Sequence, residues 1–347
     1  MTTVDLGFLE TDYEPWEVES RHFPSKVGGK PAWLDLKDLP SVSQMECLHC
    51  HRPRKFLMQV YAPDNNLSQA FHRTIFLFIC TNNSCWVESR TPVLVLRSQL
   101  GRENDFYPSE PPEEGVSWRP DLVVGVDCAV CCVCGARGES WCSRCRAVSY
   151  CGQLHQKMDW KAGHKIACQS KTVTKHSAVN WCLPEGLLDM EEEPDSDEDP
   201  DLEKYQQMAA EAGSGSLAAV EGLDEVEAEQ VEDKVCEKFR SRVKRAAGQV
   251  VRYDRGGEPL LCTSSPALEA APPCQHCGGE RSFEFQVMPQ LLTELDLGLD
   301  ETNDGLDWGG LYVFTCRASC HVSKGYFPEH VQIRNFDQTN LPGTRIS

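Results

Sequence analysis

The sequence predicts a β-rich α+β protein: two related β modules, with a compact Cys/His block and an acidic stretch between them. Three features predict it. The line CLHCHRPRKFLMQVYAP at Cys47 returns as CQHCGGERSFEFQVMPQ at Cys274. Both carry C-x-H-C, a Phe nine places after the first Cys, and Gln-Val twelve and thirteen places after it. Apolar residues alternate after each copy, the period-two pattern of strands. Between the copies, residues 131–168 hold Cys and His in paired spacing.

At 347 residues the chain exceeds one ordinary core, so two or three compact units are expected. The start, MTTVD, is polar, and no apolar run approaches the roughly 20 residues of a membrane helix. A cytoplasmic and nuclear location is expected, with no membrane partner. Nineteen cysteines in a reducing compartment point to zinc rather than disulfides.

Residues 1–110 form the first expected module. FPSKVGGKPAWL (Phe23 to Leu34) reads as a glycine turn and a proline-fixed entry into an apolar segment. Phe56, Met58 and Val60 alternate, as do Ile75, Leu77 and Ile79, giving strands with one buried face. The proline-rich run from Tyr107 to Pro120 reads as a linker, assigned to 111–127. Residues 128–170 are the Cys/His block, and 183–232 are an acidic linker too poor in apolar residues to order itself. Val231, Val235, Phe239 and Val243 form an amphipathic helix that leads into the second module, 233–347.

The net charge of −19 is concentrated. Glu185 to Asp233 holds 19 acidic residues against Lys204 alone, so this tract carries −18 and the rest of the chain −1. Residues 131–175 hold eight Lys and Arg against Glu139 and Asp159, a balance of +6.

The central frame is C-x2-C, C-x2-C, C-x3-H, H-x3-C: Cys131, Cys134, Cys142, Cys145, Cys151, His155, His164 and Cys168. Eight donors suit two tetrahedral zinc ions. Gly135 eases the left-handed turn after the first pair. The spacings Cys151/His155 and His164/Cys168 put both donors on one helical face. Cys128 forms a competing CxxC with Cys131; Gly135 favours Cys131/Cys134, and Cys132 is a bystander. Every ligand position is filled by protein, which leaves the metal a structural role.

This order and spacing resemble the MYND zinc finger family. The resemblance implies interleaved ligation: Cys131, Cys134, Cys151 and His155 on one zinc, Cys142, Cys145, His164 and Cys168 on the other. His155 stands where many members have cysteine. The family binds short proline-containing peptides, which a groove beside Trp141 or Trp160 would take. Alternatively, Arg137, Arg144, Arg146, Lys157, Lys161 and Lys165 would touch nucleic-acid phosphates.

In the repeated line, Cys47/Cys50 is followed by FLFICTNNSC, with Cys80 and Cys85, and Cys274/Cys277 by YVFTCRASC, with Cys316 and Cys320. An internal duplication accounts for both. Each copy offers one four-cysteine site that ties a hairpin turn to a strand end; the alternative is a set of buried free thiols, and the matched register of the two copies favours a zinc in each.

FPSKVGGKPAWL, FLMQVYAP, FHRTIFLFIC, RSQLGRENDFY, the finger, RYDRGG, SFEFQVMPQLL and DWGGLYVFTC together resemble the programmed cell death protein 2 family. The resemblance implies pseudo-symmetric β modules packed together, with the MYND-type finger inserted between them. It also implies a dedicated chaperone that escorts a small-subunit ribosomal protein, of the S-five family (ribosomal protein S-two in eukaryotes), in small-subunit biogenesis. Such a client would add as a strand to an exposed sheet edge, with the acidic belt screening its basic residues. The alternative is a nuclear adaptor that recruits transcriptional or chromatin partners through the finger and so regulates proliferation, survival or stem cell maintenance. No catalytic residues are expected. G-x-G-x-x-G, Walker A and HExxH are absent, and His72 and His330 have no evident nucleophile or acid beside them.

Overall fold

The structure is a computed structural model describing residues 3–86, 91–109, 129–170, 172, 177–194, 234–263, 267–297, 305–320 and 325–335. The expected linker 111–127, Cys128, Val231 and the acidic stretch from 195 to 233 lie outside the described residues. In chain order the strands are β1 (Asp5–Glu10), β2 (Lys26–Val27), β3 (Lys55–Tyr61), β4 (His72–Ile79), β5 (Val93–Leu100), β6 (Ser140–Trp141), β7 (Ser149–Tyr150), β8 (Gly186–Glu192), β9 (Gln249–Tyr253), β10 (Arg281–Val287), β11 (Gly310–Cys316) and β12 (Phe327–Arg334). The helices are short: α1 (Val42–Met45), α2 (Gln153–Asp159), α3 (Lys165–Ser170), α4 (Lys234–Lys244) and α5 (Gln290–Glu294). Among the described residues, no helix is long and apolar enough to cross a membrane.

The chain divides into two compact units that do not follow the expected segments 1–110 and 233–347. One comprises Glu10–Leu188 with Ser319–Glu329. The other comprises Met1–Leu9, Asp189–Ala318 and His330–Ser347. The cause is antiparallel pairing between distant segments. Asp5 and Leu6 face Tyr253 and Arg252 on β9, so the first strand belongs with the C-terminal sequence. Phe327, Pro328 and Glu329 face Arg97, Leu96 and Val95 on β5, so a late segment belongs with the N-terminal sequence.

In the unit containing residues 10–188, β2, β3, β4 and β5 pair antiparallel in order. Strand β4 differs from the expectation of one buried face, because it is buried along its whole length. Phe76 and Phe78 pack with Trp33, Phe56, Leu96 and Tyr326 in one cluster. Trp33 meets Phe76 at 5.4 Å and Tyr326 edge-on at 4.9 Å between ring centroids. Each such aromatic pair adds about 1 kcal/mol beyond its area burial. Tyr107, read as the start of a linker, is also buried, and its hydroxyl donates to the carbonyls of Trp33 and Leu34. The expected disordered linker likewise starts too early. Gly186 and Leu187 pair with β2, and Leu183 accepts a hydrogen bond from Gly29 N–H.

The other unit runs β1, β9, β10, β11 and the His330–Arg334 part of β12. Helix α4 presents Phe239 and Val243 to Leu260, Cys262 and Met288, as its four-residue apolar spacing predicts. Glu193, inside the expected acidic linker, accepts from Arg242 at 2.7 Å and Arg252 at 2.8 Å. A buried carboxylate between two guanidiniums fixes this end of the stretch.

Two details recur in the two units. Register shifts fall between Phe56 and Met58 on β3 and between Phe283 and Phe285 on β10, at equal distance from the first Cys of each copy. The glutamines of the repeated Gln-Val pair act as substitute strand partners. Gln59 accepts from Ala32 N–H at 2.9 Å and donates to Ala32 and Pro24 carbonyls. Gln286 accepts from Leu260 N–H at 2.7 Å and donates to Leu260 carbonyl at 2.9 Å. The strapped residues close matching sequences, Gly-Gly-Lys-Pro-Ala and Gly-Gly-Glu-Pro-Leu. Both glutamines are buried, so removing either amide strands two or more backbone groups.

The long strands β3, β4, β10 and β11 each have partners on both sides, where these are described. The expected addition of a client strand to an exposed sheet edge therefore finds no long unpaired strand at these positions.

Two measurements follow from these contacts. Gln59→Leu and Gln286→Leu are each expected to lose about 2–4 kcal/mol in chemical denaturation, because buried backbone donors and acceptors lose their partners. His72 stacks on Phe23 at 4.1 Å, and burial lowers its pKa to about 4. The unfolded chain, near pKa 6.5, takes up the proton first. Stability is therefore present above about pH 6.5 and falls toward pH 4, and His72→Gln is expected to flatten that fall in pH-dependent melting.

Candidate metal centres

Four CxxC turns are built alike. The backbone N–H of the residue after the second Cys donates to the carbonyl of the first: His51 to Cys47, Gly135 to Cys131, Arg146 to Cys142 and Gly278 to Cys274, all at 2.8 or 2.9 Å. Those four residues have φ of 55°, 74°, 53° and 70°. Glycine adopts this left-handed conformation freely, whereas His51 and Arg146 hold it at a cost of about 1 kcal/mol. The turn aims both sulfurs to one side.

Each turn meets two further donors. Cys47, Cys50, Cys80 and Cys85 gather at the start of β3 and the end of β4, with ligand atoms all within 4.8 Å. Cys131, Cys134, Cys151 and His155 form a second set, and Cys142, Cys145, His164 and Cys168 a third. The fourth contains Cys274, Cys277 and Cys316, and its remaining thiol, Cys320, comes four residues later in the chain. Cys132 stays out, its thiol 3.8 Å from Asp159. Cys151 precedes α2 rather than sharing a helical face with His155, and Gly163, at φ 145°, kinks the helical segment between His164 and the preceding turn.

Sulfur separations test whether a metal fits. Cys50–Cys80 is 3.5 Å, Cys134–Cys151 3.8 Å, Cys142–Cys168 3.9 Å and Cys277–Cys316 3.6 Å. Disulfides would stand near 2.05 Å, whereas four sulfurs around zinc at about 2.3 Å stand about 3.8 Å apart. The donor sets fit zinc, which would tie each turn to its partner elements. His155 directs Nδ1 to Cys151 at 3.1 Å and Cys131 at 3.5 Å. His164 directs Nε2 to Cys145 at 3.7 Å, leaving its Nδ1 3.8 Å from Asp159.

The environment favours ionised sulfur at selected positions. Burial opposes ionisation of Cys47, but the N–H groups of Cys50 and His49 and the adjoining thiols bring its pKa down to about 7. Cys142 falls to about 6 against burial, through the N–H of Cys145, His164 and the N–H of Arg144. Burial lowers the pKa of the Arg54 guanidinium, and the thiols of Cys47, Cys80, Cys50 and Cys85 draw it back up.

The finger is docked rather than tethered. Trp33 donates its indole N–H to Gly135 carbonyl at 2.8 Å, and Lys30 donates to Cys132 carbonyl at 2.7 Å. A Cβ on Gly135 would stand 3.0 Å from Lys30. After the finger, Ser177 bonds Asp159, and Trp181 lies edge-on to His155 at 4.3 Å. Sequence reasoning missed Trp33, Lys30, Asp159 and Trp181. Only the repeated Gly-Gly-x-Pro hinted that the first two sit on a special loop.

On its surface the finger has a cavity of about 330 Å³ lined by Arg144, Tyr150, Lys157, Trp160, Lys161 and His164. Trp160 is partly exposed there, and Trp141, Leu154 and Ile166 are exposed on the same module. Arg137 and Lys165 are exposed as well.

Family comparisons match all three parts. Residues 3–114 match the N-terminal domain of programmed cell death protein 2, residues 233–335 its C-terminal putative domain, and residues 128–176 the MYND finger. Programmed cell death protein 2 of Rattus norvegicus is 38% identical over 345 residues, covering 97% of this chain and 98% of that protein. The Mus musculus protein of the same name is 39% identical, covering 94% and 95%. The probable 20S rRNA accumulation protein 4 of Schizosaccharomyces pombe is 30% identical over 122 residues, covering 30% of this chain and 29% of that protein. No solved structure matches.

The turn geometry gives opposite signs for two kinds of substitution. Gly135→Ala is expected to lose about 1–3 kcal/mol, from left-handed strain and the contact with Lys30. His51→Gly and Arg146→Gly, which relieve strain, are expected to be neutral or to gain up to about 1 kcal/mol; thermal denaturation of zinc-loaded protein reads all three.

Proposed function

The chain belongs to the programmed cell death protein 2 family, and from that premise we propose that it escorts a newly made small-subunit ribosomal protein of the S-five family during small-subunit biogenesis. The supporting observation is the likeness to a fission-yeast protein named for 20S rRNA accumulation. The charge distribution agrees with this reading. Ribosomal proteins are strongly basic, and a tract carrying −18 would screen such a client until it reaches RNA. In this reading Cys131, Cys134, Cys151, His155 and Cys142, Cys145, His164, Cys168 hold two zinc ions. Cys47, Cys50, Cys80, Cys85 and Cys274, Cys277, Cys316, Cys320 hold one each, in two pseudo-symmetric β modules. The protein works in cytoplasm and nucleus and has no catalytic step.

The finger's cavity favours a second reading, an adaptor that recruits a proline-containing peptide or another partner beside Trp160. Its basic rim, Arg144, Lys157 and Lys161, equally suits phosphates.

Affinity capture from translating cells separates these readings. The full-length protein is compared with a Trp160→Ala/Lys161→Glu variant, which spares every metal donor. The escort reading expects one small-subunit ribosomal protein in both captures, with recovery falling as salt rises. Loss of that protein with the variant transfers the binding to the finger, and its absence from both captures overturns the escort reading.

A further inference from the structure

The four metal centres differ in charge. Three thiolates and a neutral imidazole around zinc leave a net −1, whereas four thiolates leave −2. The two sets in the finger are of the first kind and the two outer sets of the second. A buried dianion is costly unless a fixed cation accompanies it.

Each outer copy has an arginine seven residues after its first Cys: Arg54 after Cys47 and Arg281 after Cys274. The corresponding finger positions are Gly138 and Ser149. The two arginines are held in the same way. Arg54 donates to the carbonyl of Glu46, just before Cys47, at 2.6 Å. Arg281 donates to the carbonyl of Pro273, just before Cys274, at 2.7 Å. Both also neighbour the third cysteine of their set through the backbone. Arg54 Nε and Cys80 N–H share the carbonyl of Pro92, and Arg281 stands opposite Cys316 in the β10–β11 register. Arg54 is buried, with further bonds to the carbonyls of Thr91 and Gln44. These four acceptors are neutral carbonyls, so none of them offsets the guanidinium charge.

We propose that Arg54 and Arg281 are built-in counter-cations of the two all-cysteine centres, positioning residues that let these sites hold a divalent metal as a four-thiolate dianion. The imidazole of each finger site removes the need for one. This inference stands apart from the escort reading and survives its failure.

Graded chelator competition on the full-length chain loaded with zinc alone tests it. Arg54→Met is expected to release one equivalent of zinc at about 10- to 100-fold lower chelator, while Arg54→Lys stays near wild type. Adding Cys50→His to Arg54→Met takes that site from −2 to −1 and is expected to restore retention. Arg281→Met, alone and with Cys277→His, repeats the comparison at a less buried arginine and decides the matter if Arg54→Met does not fold. Unchanged release from the methionine variants overturns the proposal. So does release that the added histidine fails to repair, which would leave the arginines as carbonyl straps only.

Discussion

One hairpin turn, used four times, organises this chain: a CxxC pair whose first carbonyl is bonded by the N–H of a left-handed residue beyond the second Cys. Two of these turns lead into the strands with shifted register, and two shape the finger. Every turn meets donors from elsewhere in the sequence, as far apart as Cys47 and Cys85 or Cys274 and Cys316. Structural zinc binding supplies on the order of 10–16 kcal/mol in small modules, against a total of about 5–15 kcal/mol for a whole domain. Occupied sites would therefore weigh as much as the hydrophobic clusters beside them. Trp33 belongs to both: its ring lies in the aromatic cluster and its N–H holds the finger's first turn.

The CxxC frames were legible because a turn constrains spacing locally, and four such pairs are hard to mistake. The strand period at Phe56 and Ile75 was legible for the same reason. The burial of both faces of β4 depended on Trp33 and Tyr326, which are far away in sequence. Pairing of Asp5 with Tyr253, and of Phe327 with Arg97, leaves no local trace at either end. Acidic composition misplaced the start of the linker, since Glu193 is held by two arginines that composition does not reveal. The Gln59 and Gln286 straps stood in plain view as a repeated letter, but their meaning appears only with Ala32 and Leu260 opposite them.

Charge is segregated in this molecule, and its chemistry follows that segregation. The finger is basic, with Arg144, Lys157 and Lys161 around a cavity beside Trp160. Residues 194–233 hold 14 acidic residues against Lys204. Outside residues 131–175 and 185–233 the chain carries −7, and Arg97 and Glu329 form a buried pair at 2.6 Å. Among the described residues the long strands β3, β4, β10 and β11 already have neighbours on both sides.

The central claim, that four donor sets each carry a metal ion, is tested most directly by the mass difference between native and acid-denatured full-length protein. The account predicts a difference equal to four zinc ions per chain. A difference of two would confine metal to the finger, leave the outer turns without the ties that give them their form, and contradict the account.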